Sequence, residues 1–526
     1  MKHPIRSLSF VVFGAAVMAG LAACGASAGT QDASNPGAVV PEPPVVESEP
    51  IEITAASAEI TTGSQLTLSW RVTGAQEVRW YTITDEGDRD PLTGVLTGAQ
   101  GAVQVPIPSA DRLNLELEAH HEADDSSITQ AVPWATEHVV IRGDDYDPYD
   151  VERTPSDPVP GTLRDVLMRA EPGAIIGFAG NVTQVDLTGV DLRTPSAPMT
   201  PGGPLDKVDA HLWFDRDVTV SGPTGRTVRL LSANEDASFA SRIGYIAQGA
   251  TVTLENLDLV GGRFIYSGAG LANVGTLTLN NVNLTDHHAW QCGGALYNAG
   301  ILTIQGGVLD GNRAGTDAAT IGVPQTLRGT TYETTPSDTG YGSAVCNVLG
   351  GTVDATGVTI RNHEAKYRGA IFNVSGNVIW RDGTIEGSTV TMTPFNLTEA
   401  DATDDRAGGA IYNLDELTLA RTTVELNESS EYAGGLYLGP ASSATLDGVT
   451  LQANNAAAFD GNLLREVNSG VGPGQLTVTG GTQIGSTAPD LDSFVVDLTP
   501  PSPLGLTTQA TSGAAANAYW TASYRD

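Results

Sequence analysis

Amides recur at one place in a repeated phrase, and they are the first residues here whose type and spacing suggest chemistry. Asn273, Asn298, Asn347, Asn373 and Asn413 close the phrases GAGLAN, GGALYN, GSAVCN, RGAIFN and GGAIYN, at steps of 25, 49, 26 and 40 residues. A primary amide both donates and accepts. Stacked at one turn, Asn298, Asn347, Asn373 and Asn413 would therefore bond to one another as an internal ladder. That chemistry is structural. A second column holds His287, Asn312, His363 and Asn454, each three residues after an aliphatic position. Its two imidazoles are separated by the repeat of Asn312, hence about 10 Å apart if repeats stack as strands. Zinc needs ligands at about 2.0–2.1 Å, so both histidines are expected to fill the turn role that Asn fills in sibling repeats.

Rings and acids offer the remaining candidates. Tyr297, Phe372, Tyr412 and Tyr437 share one column beside the closing position. If the Asn side chains face inward, strand alternation turns these rings outward. Exposed stacked rings are a candidate surface for sugar faces; mutual stacking is the other reading. In GDDYDPYD (143–150), Asp144, Asp145, Asp147 and Asp150 supply hard oxygen ligands, which makes calcium the one cofactor to consider. The run lacks an Asp-x-Asp-x-Asp-Gly loop, and a solvated acidic linker is the alternative. Asp258, Asp310, Asp354 and Asp382 fall beside or in turns. Glycoside chemistry needs two carboxyls about 5–9.5 Å apart. No repeated acidic column provides them, so no catalytic residue is assigned.

The steps share a base period of 25 residues, in the range of solenoids. The two long steps are one period plus an insertion, at about 315–339 and 389–405. Both insertions occupy the slot just before the phrase, so they emerge on one face, a candidate recognition surface. Each phrase is followed by a short alternating segment (LTL, LTI, LTL, ATL), then by a third ending in a turn (NLTDHHA, GVLDGNRA, VTIRNHEA, VTLQANNA). This reads as three strands per repeat with no helical period. Such a unit cannot close a core alone but can wind as one coil of a solenoid. Nine or ten coils at about 4.8 Å give a rod roughly 45 Å long. In this frame Cys292 and Cys346 are offset by five positions, about 16 Å of strand. That exceeds disulfide reach, so both are expected as thiols.

The pattern GG-A-[IL]-[YF]-N … LT[IL] … [ILV]-x-x-[NH]-x-A resembles right-handed parallel β-helix proteins of the pectate-lyase-like superfold. It is closest to those with polymorphic outer-membrane-protein-like repeats, over residues 161–498. The resemblance implies an all-β chain in which TLRDVLMRAEPGAIIGF (162–178) supplies an amphipathic cap helix and the first strand. Leu163, Val166, Leu167 and Ala170 would form its apolar face, and Pro172-Gly173 its stop. The catalytic signatures of such enzymes are missing. Asp404-Asp405 stands alone in an insertion, and there is no Gly-His-Gly. The fold by itself hosts lyases, hydrolases, adhesins and scaffolds.

The N-terminal segment 1–23 reads as a signal peptide, with Lys2 and Arg6 ahead of a short apolar stretch. Leu21-Ala22-Ala23-Cys24 resembles a bacterial lipobox, which implies cleavage before Cys24, lipid on that residue and attachment to a membrane. Gly25 in place of Asp points to an outer surface. Residues 24–50 then form a Pro-, Ala- and Glu-rich tether. Residues 51–142 alternate as a small antiparallel sandwich, and GSQLTLSWRVTGA (63–75) resembles bacterial immunoglobulin-like modules. An acidic linker (143–160), the β-helix (161–498) and a C-terminal tail (499–526) complete the chain. The net charge of −34 opposes nucleic-acid and anionic-lipid binding. The expected protein is a cell-surface lipoprotein displaying a non-catalytic β-helix rod for adhesion or glycan binding, with a glycan or surface protein as partner. The alternatives are a polysaccharide lyase or glycoside hydrolase with a divergent site, and a structural envelope protein.

Overall fold

The computed structural model describes residues 49–121, 125–144, 159–188, 210–232, 241–264, 266–315, 325–327, 330–332, 340–391, 408–430, 432–456, 461–467, 473–485 and 495–497. Strands dominate it. The chain from about residue 174 winds into a parallel β-helix whose walls are long stacked sheets. The first wall has eleven strands and contains the Leu-Thr segments, such as Thr276–Asn280 and Ile301–Gln305. The second wall has ten, including Asn283–Thr285 and Val308–Asp310. The third wall, also of ten, is built from the phrases, such as Leu296–Asn298 and Val345–Asn347.

A fourth, seven-stranded ribbon lies between the second and third walls. Its strands are two residues long, as in His288–Ala289, Arg313–Ala314 and Glu364–Ala365. Sequence periodicity gives only three strands per coil, because two residues are too few to display a period.

Register holds across both insertions. Leu296, Tyr297 and Asn298 pair with Val345, Cys346 and Asn347 across the first, and Ile371, Phe372 and Asn373 pair with Ile411, Tyr412 and Asn413 across the second. The inward positions explain why. Leu277 and Leu279, Leu302 and Ile304, Val378 and Trp380, Leu417 and Leu419 are all buried in the first wall. They meet Leu284, Leu309, Ile360 and Ile385 from the second wall and Leu296, Val345, Ile371 and Ile411 from the third. Each such side chain contributes about 1.5–3 kcal/mol. A slip of one residue would turn the set outward, so the core fixes the register.

A short helix precedes the first coil. This helix, α1 (Leu163–Arg169), is capped by Thr162, whose hydroxyl accepts from Asp165 N, while the Asp165 carboxylate accepts from Gly161 N at 2.7 Å. Leu163, Val166, Leu167 and Ala170 are buried. The strand Val139–Val140, next to α1, extends the first wall by pairing with Gly177–Phe178.

Residues 52–132 form two antiparallel sheets. One orders Glu52–Thr61, Gln65–Thr73 and Gln100–Pro106; the other orders Arg89–Pro91, Glu77–Ile83, Asn114–His121 and Ser126–Val132. Trp70, Trp80, Leu68 and Leu117 are buried in a core cluster that continues into the solenoid. The Gly63–Ser64 turn meets the first coils directly. Gly63 N donates to Ser221 Oγ at 2.6 Å, and Phe178 N donates to Ser64 Oγ at 3.1 Å. Among the described residues no helix is long and apolar enough to cross a membrane.

Candidate functional site

The third-wall corner holds a buried amide ladder. Asn273 Nδ2 donates to Asn298 Oδ1 at 2.8 Å, Asn298 to Asn347 at 2.8 Å, Asn347 to Asn373 at 2.9 Å and Asn373 to Asn413 at 2.7 Å. Each amide also reaches main-chain carbonyls of the following turn, as Asn347 Nδ2 does to Gly351 O at 2.9 Å. Leu438 and then Arg465 follow Asn413 in this column and end the ladder. All five amides are occupied in holding coils together, with no face left for a ligand.

The second column behaves similarly. Gly262 N donates to His287 Nδ1 at 2.9 Å, and His287 N donates to Asn312 Oδ1 at 2.9 Å. His363 Nε2 bonds to Leu309 O at 2.9 Å, one coil back. Both rings are buried. Desolvation lowers the His287 pKa to about 3 and that of His363 to about 4, so both are neutral turn-formers at ordinary pH. Among the described residues no three His, Cys, Asp or Glu side chains converge as a metal site.

The ring column differs from the sequence expectation. Tyr297, Phe372, Tyr412 and Tyr437 are 2%, 0%, 4% and 2% exposed, so they do not present an open surface to a sugar. They do lie on the outer side of the third wall, where alternation puts them. The chain then folds back across them. The first Gly of a phrase passes over the ring column of the next coil: a Cβ on Gly268 would lie 2.9 Å from Tyr297 Cβ, and one on Gly342 would lie 2.9 Å from Phe372 Cβ. The result is a second apolar core outside the solenoid, built on Tyr245, Tyr297, Cys346, Phe372, Tyr412 and Tyr437. Phe372 and Tyr412 have centroids 5.6 Å apart, and Tyr412 and Tyr437 stack at 4.4 Å. The Arg368 guanidinium lies over Tyr341 and Tyr412, each at 4.8 Å, and over Phe372 at 5.3 Å. Mutual stacking is what these rings do here.

The same fold-back corrects the cysteine expectation. Cys292 and Cys346 form a disulfide, with Cα atoms 5.7 Å apart. The 16 Å offset assumed that the chain from Cys292 to Asn298 runs straight. Instead Gly293 takes a φ of +70°, and the chain doubles back so tightly that a Cβ there would strike the Leu296 carbonyl. Cys292 thereby bridges to Tyr341 and lands beside the third-wall position of Cys346, which pairs with Tyr297. The Gly-Gly pair was visible in the sequence; that it bends the chain back was not.

The isolated acids are engaged across coils. Asp258 accepts from Thr227 and Asn283, both at 2.6 Å. Asp310 pairs with Arg361 at 2.7 Å, and Asp354 with Arg381. Asp382 takes a bidentate Arg421 at 2.6 and 2.8 Å, which lowers its pKa. Glu386 and Glu425 occupy neighbouring rungs of the second wall, an acidic pairing the sequence columns did not single out. Glu425 accepts from Gln452 Nε2 at 2.7 Å. A buried Ser–His hydrogen bond, His211 Nε2 to Ser232 Oγ at 2.9 Å, was also not anticipated. In the acidic run, Asp144 is held by Arg142 at 2.8 Å, which lowers its pKa. Asp145, Asp147 and Asp150 lie outside the described residues, as do Cys24, Asp404 and Asp405.

One further feature is geometric. The insertions seen in the sequence sit between the ribbon and the third wall. The ribbon strands Arg313–Ala314 and Thr389–Val390 are each followed by more residues before the next third-wall strand, Val345–Asn347 and Ile411–Asn413, than separate His288–Ala289 from Leu296–Asn298, so both insertions fall at the same step of the coil. Within the first insertion Gln325–Leu327 pairs antiparallel with Thr330–Tyr332; most other inserted residues lie outside the described set. Comparison of the chain with known protein families, with curated proteins and with solved structures gives no match in any of the three.

Proposed function

We propose that this protein is an extracytoplasmic, lipid-anchored β-helix that presents a non-catalytic recognition surface for a glycan or another surface protein. The observation that carries the reading is the shared placement of the two insertions. The coils keep their register across both insertions, which fall at the same step between the ribbon and the third wall. Segments held this way by a stiff scaffold are suited to recognition. A non-enzymatic role is supported by Asp258, Asp310, Asp354 and Asp382, each engaged with a polar or basic partner on a neighbouring coil. The Cys292–Cys346 disulfide supports export, because such bonds persist in oxidising compartments. Cys24 is the proposed lipid site, and a Cys24→Ser change should move the protein from membranes to the soluble fraction.

The test is binding by a soluble form beginning at residue 49, screened on a glycan array and on cell surfaces, with and without calcium. Replacing residues 392–407 by a short Gly-Ser linker should abolish the attachment while thermal unfolding stays unchanged. Full attachment by every insertion-deleted variant would remove the reading. Release of unsaturated or reducing ends from pectate, alginate or chitin-type polymers at enzyme-like rates would replace it with the lyase or hydrolase alternative.

A further inference from the structure

The two antiparallel sheets at residues 52–132 have four edges, and three of them are guarded. Glu52–Thr61 carries Glu52 and Glu59 and breaks register between Ile53 and Ala55. Arg89–Pro91 is three residues long and consists of Arg89, Asp90 and a proline. Gln100–Pro106 ends in proline, and just beyond it Pro108 O accepts from Gly180 N of the solenoid at 3.0 Å. Charges, prolines, bulges and short strands all keep an edge from pairing further. The fourth edge has none of these. Ser126–Val132 is seven residues long, and its sequence, SSITQAV, contains no charge, proline or glycine. Among the described strands it pairs only with Asn114–His121, in unbroken register. Main-chain groups alternate along a strand, so alternate N–H and C=O groups face away from that neighbour.

The side chains of this strand are as open as its edge. Ser126 to Ala131 are exposed, and only Val132 is buried. Directly opposed residues share a face, so Ile128 lies on the same face as Ala119, which is fully buried. Ile128 is nevertheless 37% exposed. An aliphatic residue on the core side of the sheet is thus left in water where a further strand would sit. Glu52–Thr61 of the other sheet approaches this strand without pairing to it. Composition selects the occupant. The chain carries net −34, so a basic partner is drawn to strands that display acids, and this strand displays none. Antiparallel pairing with its own copy, centred on Ile128, sets Ile128 against the partner's Ile128 and Ser127 against the partner's Thr129. No like charges are opposed, and the core faces stay on one side.

We propose that Ser126–Val132 pairs antiparallel with the same strand of a second copy, joining two sheets into one across a two-fold axis. Seven residues a side make a small interface, so the association is weak and concentration-dependent. The test uses residues 49–526, which contain every described element. Sedimentation should show a monomer–dimer equilibrium below about 0.5 mM, and deuterium uptake of the peptide 126–132 should slow at least about threefold as dimer forms. Added salt should strengthen the dimer, because it screens the repulsion between two acidic chains. Ser127→Lys with Thr129→Lys reduces the net negative charge but sets Lys against Lys, and should leave only monomer. Ser127→Glu with Thr129→Glu should also be monomeric, and mixing the two variants should restore a dimer. Both side chains are exposed, so thermal unfolding should not change. A wild-type chain that stays monomeric to that concentration would overturn the proposal. So would a dimer that survives in either variant, or variants that do not pair when mixed. Protection of 126–132 already present in dilute monomer would show that the chain covers this edge itself, which equally overturns it.

Discussion

Asn373 illustrates what one residue does in this fold. Its amide donates to Asn413 and to the Gly376 and Glu416 carbonyls while its oxygen accepts from Asn347. Asn373→Ala leaves those groups buried without partners and should cost about 1–3 kcal/mol, read as a lower urea midpoint. His287 and His363 act in the opposite sense as pH falls. Their folded pKa values, about 3 and about 4, lie below the unfolded value near 6.5. The unfolded chain therefore binds protons that the folded chain does not. Their stabilising contribution is full above about pH 6.5 and is lost progressively below it, at up to about 1.4 kcal/mol per pH unit for each group. His288, also lowered by burial, adds to the slope. Asp286, lowered to about 2 chiefly by its hydrogen bond to His288, contributes at lower pH. The midpoint should fall between pH 7.5 and pH 5. The double change His287→Asn with His363→Asn should flatten that fall, since Asn fills the sibling turns; an unaltered slope would place the pH dependence elsewhere.

At the scale of elements, the phrase is a bend and a strand rather than a strand alone. Its Gly-Gly bend covers the outer rings and brings Cys292 to Cys346. Thiol counting on the folded protein should find neither of these cysteines free, and Cys292→Ser with Cys346→Ser should lower stability by about 2–4 kcal/mol. Two reactive thiols in unreduced protein would reject the fold-back. Tyr412→Ala empties a packed position between Phe372 and Tyr437. It should cost about 3–5 kcal/mol, as deletion of a buried aromatic does. A loss of attachment without a loss of stability would return that ring to ligand binding.

For the whole molecule, the sheets at residues 52–132 and the solenoid form one compact unit, 49–526. The contact runs through Gly63, Ser64, Phe178 and Ser221. Ser64→Ala removes the hydroxyl that accepts from Phe178 N and donates to Ser221 O. It should destabilise by about 1–3 kcal/mol. It should also raise exchange in both the 174–178 and 218–221 strands. An effect confined to residues 52–132 would show that the two parts are energetically separate.

The amide ladder, the coil period and the inward aliphatic columns were legible in the sequence because each is a local pattern repeated at a fixed step. Stacking then converts equal sequence positions into contacts. Asn298 meets Asn347 across 49 residues for the same reason that Asn273 meets Asn298 across 25. The two-residue ribbon, the disulfide and the burial of Tyr297, Phe372, Tyr412 and Tyr437 were not legible. Each depends on where the chain goes after a glycine bend, and a bend's direction is set by the neighbouring coils it packs against. Alternation assigned those rings correctly to the outer side of a wall; only the tertiary structure decided that this side is another core.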